Sequence, residues 1–266
     1  MNATSPPRIA PDELARRLPP TDDLLVLIDF DGTLSEIVPE PDAARPVEGA
    51  VAALAALADR CPVAIVSGRP VADLRRRLDP SLRVTLAGGH GAEVATPDGH
   101  ERALSDPAAV AATLDRLEQD LTALVDPAAG WRLERKPTSL AVHHRQVADP
   151  EPTLAAVRDR MRRDLDAPPG FALLDGKAVT ELRPADVDKG GVVDHLVVQH
   201  PDRHVLVVGD DVTDEDAFAA AAARGGTPVL VADAPRPSGA IWRLRDPHEV
   251  VTLLSLLAGP DLSHSL

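Results

Sequence analysis

The chain has 266 residues, a formal net charge of −14 at pH 7 and 44% hydrophobic residues. This length suits one large domain or a domain with an insert, and the hydrophobic content excludes an intrinsically disordered chain. The acidic balance argues against non-specific nucleic-acid binding and against docking on anionic lipid, because both need basic surfaces.

The first part of the chain alternates apolar strands with amphipathic helices. Residues 24–28 form a continuous apolar run between two aspartates, which is typical of a strand buried on both faces. The elements predicted after it are a helix over 47–60, a strand over 62–66, a helix over 71–78 and a strand over 82–87. This alternation predicts right-handed βαβ units and a parallel sheet.

The same alternation returns near the end of the sequence. The elements predicted there are a helix over 192–198, a strand over 204–208, a helix over 214–224, a strand over 228–231 and a helix over 248–258. Because the two parts have the same character, we expect them to share one sheet.

The middle of the chain has a different pattern. Its predicted elements are a helix over 107–125, strands over 131–135 and 139–144, a helix over 153–165, and strands over 171–174 and 178–182. Short turns, 136–138 and 175–177, separate the strands of each pair, so both pairs fit hairpins. We therefore predict an α+β domain over residues 98–183, inserted into an α/β core formed by residues 1–97 and 184–266.

Two carboxylates leave the first predicted strand together. The segment Asp29-Phe30-Asp31-Gly32-Thr33 follows that strand directly, at the sheet edge where parallel α/β folds place ligands. One aspartate of such a pair can attack phosphorus, and the other can protonate the leaving group and then activate water. The alternative is an ordinary acidic turn closed by a glycine.

A second acidic segment, residues 209–216, follows the strand predicted over 204–208. Its five acids repel one another unless a cation lies among them, and oxygen-only, carboxylate-rich sites suit Mg²⁺. We predict Asp210 as a metal ligand. The other acids, Asp211 and Asp214 among them, are expected to contact the metal ligands or to cap the following helix, whose positive end favours acids.

Two smaller patterns accompany the aspartates. Ser67-Gly68-Arg69 ends a predicted strand, where a hydroxyl and free amides can hold phosphate oxygens, although Ser-Gly is also an ordinary turn. Lys189 precedes the helix predicted over 192–198, where it can either be solvated or neutralise a nucleophile and a phosphoryl group. A helix start is unfavourable for a cation, and the chain has only three lysines, so we favour the functional role.

The four segments together predict a phosphoryl-transfer site without a P-loop, because the motif Gly-x-x-x-x-Gly-Lys-Ser/Thr does not occur. In this order they resemble the four motifs of the haloacid dehalogenase (HAD) superfamily and, more narrowly, the trehalose-6-phosphate phosphatase family. The narrower resemblance is carried by residues 29–37, 89–93, 181–184, 189–190 and 209–215. It implies a Rossmann-like core whose inserted α+β domain acts as a cap.

The resemblance also implies roles for individual residues. Asp29 would be the nucleophile and Asp31 the general acid and base. Mg²⁺ would be held by Asp29, by the backbone carbonyl of Asp31 and by Asp210, while Ser67 and Lys189 would bind the phosphoryl group. The other residues expected to contact phosphate are Gly32, Gly68 and Arg69.

Residues of the inserted domain are expected to contact the sugar. The segments 134–136 and 143–145 are similar to the family's Lys…His-Tyr-Arg cap segment, with His144 at the tyrosine position. On a strand, His143 and Arg145 would share a face. The residues expected to contact sugar or phosphate are Lys136, Arg145, Glu181 and Arg183.

The activity implied by the resemblance is Mg²⁺-dependent hydrolysis of trehalose 6-phosphate to trehalose and phosphate through an aspartyl-phosphate. Two alternatives stay open, a HAD phosphatase for another sugar or polyol phosphate and a non-catalytic sugar-phosphate sensor. The expected partner is thus a small sugar phosphate rather than nucleic acid or a membrane, and a monomer is favoured. Residues 1–20 lack the apolar stretch of a secretory signal, so we expect a cytoplasmic protein.

Overall fold

The computed structural model describes residues 4–38, 40–103, 106–136, 138–167, 170–176, 178–185 and 187–259. Two compact units make up the chain. The core unit comprises Met1–Arg102 and Asp188–Leu266, and the inserted unit comprises Ala103–Val187. Within the described residues, no helix is long and apolar enough to cross a membrane.

The secondary structure is mixed. The strands in chain order are β1 (Leu24–Ile28), β2 (Val63–Val66), β3 (Thr85–Gly88), β4 (Glu93–Ala95), β5 (Glu101–Ala103), β6 (Arg132–Arg135), β7 (Leu140–His143), β8 (Phe171–Gly176), β9 (Val179–Pro184), β10 (His204–Gly209), β11 (Thr227–Val231) and β12 (Trp242–Leu244). The α-helices are α1 (Pro11–Arg17), α2 (Ala50–Ala58), α3 (Val71–Arg77), α4 (Pro107–Thr122), α5 (Glu151–Arg162), α6 (Lys189–Gln199), α7 (Glu215–Ala222) and α8 (Pro247–Ala258).

The core unit is built on one sheet with the strand order β12-β11-β10-β1-β2-β3-β4-β5. The strands from β12 to β3 pair in parallel, and β4 joins β3 antiparallel. The chain leaves β1 toward β2 and later returns to β10 on the opposite side of β1. The carboxyl ends of β1 and β10 therefore border the crevice where doubly wound sheets bind ligands.

Burial explains why β1 occupies the middle of this sheet. All five of its residues are buried, as the unbroken apolar run predicts. One face of the sheet is covered by apolar side chains of α2 and α8, including Leu54, Leu57, Leu253 and Leu254. The strand thus has no solvated face, and its carboxyl end is held at a fixed position beneath the loops that follow it.

The inserted unit is an antiparallel sheet with the order β6-β7-β9-β8, accompanied by α4 and α5. Its apolar core includes Leu114, Leu121, Leu140, Val157 and Leu182. The hairpins β6–β7 and β8–β9 form as expected. Pro137 and Lys177, which belong to the two predicted turns, lie outside the described residues.

The predicted fold class, an α/β Rossmann-like core with an inserted α+β unit, is confirmed. The elements that the sequence did not predict are α1, β4, β5 and β12. Each of these strands has three residues, which is too short for an alternating pattern, and every residue of β5 is exposed. Lys189 is the first residue of α6 rather than a residue preceding it, so the helix begins earlier than predicted.

Candidate active site

Three loops and one helix start converge at the carboxyl edge of the core sheet. Asp29 follows β1, Ser67 follows β2, Asp210 follows β10 and Lys189 begins α6. The register pairs Ile28 with Val208, so β1 and β10 end at the same level. Segments that are far apart in the sequence therefore meet, because parallel strands share one carboxyl edge.

A buried ion cluster lies at the centre of this edge. The ammonium Nζ of Lys189 is 2.6 Å from Oδ1 of Asp29 and 2.6 Å from Oδ1 of Asp214. The exposed fractions of these residues are 3% for Lys189, 6% for Asp29 and 2% for Asp214. The lysine thus bridges two carboxylates that water cannot solvate, so it is not a solvated helix-start residue, and its role in the reaction stays a prediction.

The cluster keeps its lysine charged. Burial by itself lowers the pKa of Lys189, but the carboxylates of Asp29 and Asp214 outweigh this and raise it above its ordinary value. Burial raises the pKa of Asp29 well above its ordinary value of 3.8; Lys189 opposes the shift and the nearby Asp214 reinforces it. Burial and the negative charges of Asp214 and Asp211 raise the pKa of Asp210 to about 7. Three carboxylates therefore lie around a single ammonium. Their excess negative charge would stabilise a further cation in the site.

Oxygen atoms of Asp29, Asp210 and Asp214 lie within 4.8 Å of one another, a spacing that suits a metal ion. The carboxylate of Asp214 is already engaged, because its Oδ1 accepts from Lys189 and its Oδ2 accepts from the backbone amides of Asp210 and Asp211, each at 2.9 Å. Asp29 and Asp210 are then the better cation ligands of the three. The supporting roles predicted for Asp211 and Asp214 stay predictions.

Gly32 makes room for one of these ligands. Its φ of +81° lies in the left-handed region, and a Cβ atom there would lie 2.2–2.6 Å from the carboxylate of Asp210. The predicted contact of Gly32 with phosphate stays a prediction. The structure adds a second reason for a glycine, which is the close approach of Asp210.

Arg69 pairs with the second aspartate of the first motif. Its Nε and Nη2 donate to the two carboxylate oxygens of Asp31, each at 2.7 Å, and its Nη1 donates to Asp73 at 2.9 Å. Hydrogen bonds from Arg77 and Arg69 outweigh burial and lower the pKa of Asp73 to about 2. Asp73 therefore stays ionised and anchors the guanidinium that holds Asp31.

Ser67 is 1% exposed, and its hydroxyl accepts from the backbone amide of Arg69 at 3.2 Å. Gly68 packs closely on His90, because a Cβ atom there would lie 2.6 Å from the imidazole ring. The strand-to-helix turn of Ser67, Gly68 and Arg69 thus has the compact form expected of a phosphate-binding turn, and its role stays a prediction.

In the inserted unit, the structure brings together two of the four residues predicted to contact substrate. Nζ of Lys136 lies 3.1 Å from Oε1 of Glu181, and the hydroxyl of Ser139 donates to the same oxygen. Arg145 is exposed in the turn after β7, so it does not share a strand face with His143. Arg183 donates to the backbone carbonyl of Val187.

Sequence reasoning did not identify Ser139, Asp73 or Arg236. Arg236 donates to the backbone carbonyl oxygen of Asp210 at 2.7 Å, from a loop 26 residues further along the chain. None of the three belongs to a motif. The contacts of Ser139 and Arg236 depend on how distant segments pack, and a pattern confined to one segment cannot reveal them. Asp73 differs, because it lies four residues from both Arg69 and Arg77, a helical spacing that could have indicated the contact.

The doubly wound sheet carries an aspartate pair after its central strand, a serine turn, a buried lysine and an acidic loop at one edge. Its fold is similar to that of a solved haloacid dehalogenase-like hydrolase of B. subtilis, which is 16% identical with a TM-score of 0.62. The family model for trehalose-phosphatase matches residues 27–248. The chain belongs to the trehalose-phosphatase family.

Individual relatives agree with this assignment. A trehalose-phosphate phosphatase of Mycolicibacterium paratuberculosis is 40% identical over 93% of this chain. The chain spans 64% of that relative's length. Solved trehalose-6-phosphate phosphatases of Aspergillus fumigatus and C. albicans, the latter a C-terminal domain, are each 27% identical with a TM-score of 0.74. They cover 95% and 97% of this chain, and 98% and 99% of their own chains are matched.

We predict that Gly32→Ala displaces the carboxylate of Asp210 and so weakens divalent-cation binding. Gly99→Ala is the matched control, because Gly99 has a similar φ of +86° but a Cβ atom there meets nothing within 4 Å. Both variants should lose about 1 kcal/mol of unfolding free energy through the left-handed backbone. Only Gly32→Ala should also lose the rise in melting temperature that added Mg²⁺ produces, measured by calorimetry. An equal Mg²⁺ response in the two variants would contradict the clash.

Proposed function

We propose that the chain is a Mg²⁺-dependent phosphatase that hydrolyses trehalose 6-phosphate to trehalose and phosphate. The observation that carries the proposal is the buried cluster of Asp29, Lys189 and Asp214 at the carboxyl edge of the sheet. Membership of the trehalose-phosphatase family, and relatives named for trehalose 6-phosphate, support the choice of substrate.

The donor set fits a divalent cation. Carboxylates of Asp29 and Asp210, with the backbone carbonyl of Asp31, would hold it, and hard oxygen donors suit Mg²⁺. The excess of buried carboxylate over ammonium supports a cation, as does the room that Gly32 leaves for Asp210. When bound, the cation would offset the negative charge of the phosphate oxygens beside these carboxylates.

Asp29 is the nucleophile of this proposal. One of its oxygens attacks phosphorus, the bond from phosphorus to the sugar oxygen breaks, and an aspartyl-phosphate forms. Lys189 holds the carboxylate of Asp29 through Oδ1, and its fixed charge stabilises the phosphoryl group during transfer. Because Lys189 is itself held by Asp214, the ammonium needs little reorganisation when the substrate arrives.

Asp31 moves the protons. Its carboxyl group protonates the leaving sugar oxygen in the first step, and its carboxylate then takes a proton from the water that attacks the aspartyl-phosphate. Arg69 donates to both carboxylate oxygens of Asp31, so the first step requires this pair to loosen. Phosphate oxygens can accept from the same guanidinium, and substrate binding would thereby release Asp31 to take up its proton.

The inserted unit would contribute sugar contacts. Lys136, Ser139 and Glu181 form a small polar group in which one carboxylate accepts from an ammonium and a hydroxyl. The side chains of Lys136 and Glu181 keep 35% and 19% of their surface exposed, so both stay accessible to a ligand. Arg145 and Arg183 stay candidates for further contacts with sugar or phosphate.

We expect purified protein to release phosphate from trehalose 6-phosphate only with a divalent cation present. The specificity constant kcat/KM should exceed that for glucose 6-phosphate by at least about a hundredfold, because the second sugar ring adds contacts. Asp29→Asn should fold normally, as judged by circular dichroism, and release no phosphate. Comparable rates on both esters would favour a general sugar phosphatase. Binding of trehalose 6-phosphate without release would favour a sensor.

Glu181→Gln should raise the KM for trehalose 6-phosphate about tenfold, since it weakens a charge-assisted contact to the sugar. The specificity constant for p-nitrophenyl phosphate, which has no sugar, should not change. Glu151→Gln is the control and should change neither constant, because Glu151 lies in the same unit, outside the segments expected to contact the sugar, and pairs with Arg158 at 3.8 Å. Equal losses on both substrates would contradict a sugar-binding role for Glu181.

A further inference from the structure

Arg236 connects the loop after β11 to the acidic loop of the site. Its Nη2 donates to the backbone carbonyl oxygen of Asp210 at 2.7 Å, and its Nη1 lies 3.4 Å from Oε1 of Glu215. The other oxygen of Glu215 accepts from the backbone amide of Gly239 at 2.7 Å. Arg236 and Glu215 therefore tie residues 236–239 to the segment that carries Asp210.

The peptide groups on both sides of the Asp210 Cα are thereby fixed. Its amide donates to Oδ2 of Asp214 at 2.9 Å, and its carbonyl accepts from Arg236. The carboxylate of Asp210 occupies the space beside Gly32, where a Cβ atom would come within 2.2 Å, and its Oδ1 lies 3.5 Å from the hydroxyl of Thr33. A rotation of the Asp210 backbone would move the carboxylate out of this space, and the two backbone hydrogen bonds oppose that rotation.

We infer that Arg236 is a positioning residue for the divalent-cation site, acting through the backbone of Asp210. The inference rests on the proposed function only in that the site takes a divalent cation. It assigns to Arg236 no contact with substrate or with the reacting atoms. Its side chain is 30% exposed, so the arginine is not required to fill the core.

The positive charge of Arg236 allows a positioning role to be distinguished from a purely electrostatic effect on the cation. A guanidinium beside the site repels a cation, so its removal alone would strengthen cation binding. Loss of positioning has the opposite effect, because Asp210 would then need to be ordered on binding. The direction of the change in affinity after Arg236 is replaced therefore distinguishes the two roles.

The test is Mg²⁺ binding to the substrate-free, full-length protein, measured by isothermal titration calorimetry. Arg236→Gln should raise the dissociation constant for Mg²⁺ about tenfold, at the low end of losses from contacts that support metal ligands. Arg224→Gln is the matched control. Arg224 also donates to a backbone carbonyl, that of Ala220, and pairs with Asp194. It should change the constant by less than about twofold, because surface charges are screened by salt.

Melting temperatures without Mg²⁺ show whether each variant is folded, and Arg236→Met, which keeps the aliphatic packing, replaces Arg236→Gln if the latter unfolds. Unchanged or tighter Mg²⁺ binding by a folded Arg236 variant overturns the inference. If the wild-type protein binds no divalent cation, the metal part of the proposed function fails, and the inference fails with it. If the wild-type protein binds Mg²⁺ and only the Arg236 variants bind it more weakly, the metal part of the proposed function and the inference about Arg236 are both supported.

Discussion

The site depends on the ammonium of Lys189, buried between the carboxylates of Asp29 and Asp214. An unpaired carboxylate in this position would be unstable, because burial strongly disfavours a lone charge. The lysine makes the burial of both aspartates possible, and the amides of Asp210 and Asp211 complete the hydrogen bonding of Asp214. The carboxylate of Asp29, the proposed nucleophile, thus has its position set by a fixed ionic partner rather than by water.

This constraint separates the roles of the acidic residues. Asp214 is occupied by its internal partners, while Asp29 and Asp210 are available to a cation, and Asp31 is held by Arg69. The net charge of −14 argues against large anionic partners but says little about a small phosphate ester. The local balance of Lys189, Arg69 and a bound cation decides whether such an ester can approach.

The sequence predicted the features that depend on local pattern. The bounds of β1 were predicted to the residue, because an unbroken apolar run between two aspartates is typical of a strand buried on both faces. The meeting of the four segments was also predicted, because each lies at the end of a core strand or the start of a core helix and parallel strands bring their carboxyl ends together. Family resemblance supplied the expected division of roles between Asp29 and Asp31, which their residue types alone left open.

The sequence did not predict features that depend on tertiary packing. The strands β4, β5 and β12 are too short to show a period, and Arg145 lies beyond the strand on which it was expected. Arg236 reaches Asp210 only because two loops at the sheet edge lie side by side. Gly32 was noticed for the motif it belongs to, whereas its close approach to Asp210 required coordinates.

The central claim is that Asp29 attacks phosphorus and that water then releases phosphate in a second displacement. The most direct measurement is the configuration at phosphorus after hydrolysis of the phosphorothioate analogue of trehalose 6-phosphate. The analogue is made chiral with two oxygen isotopes and hydrolysed in water enriched in the third, so that the released thiophosphate is itself chiral. Each in-line displacement inverts the configuration, so two of them must retain it overall. Retention is the result that this account predicts. Inversion would mean that water attacks the ester directly, and it would contradict Asp29 as the nucleophile.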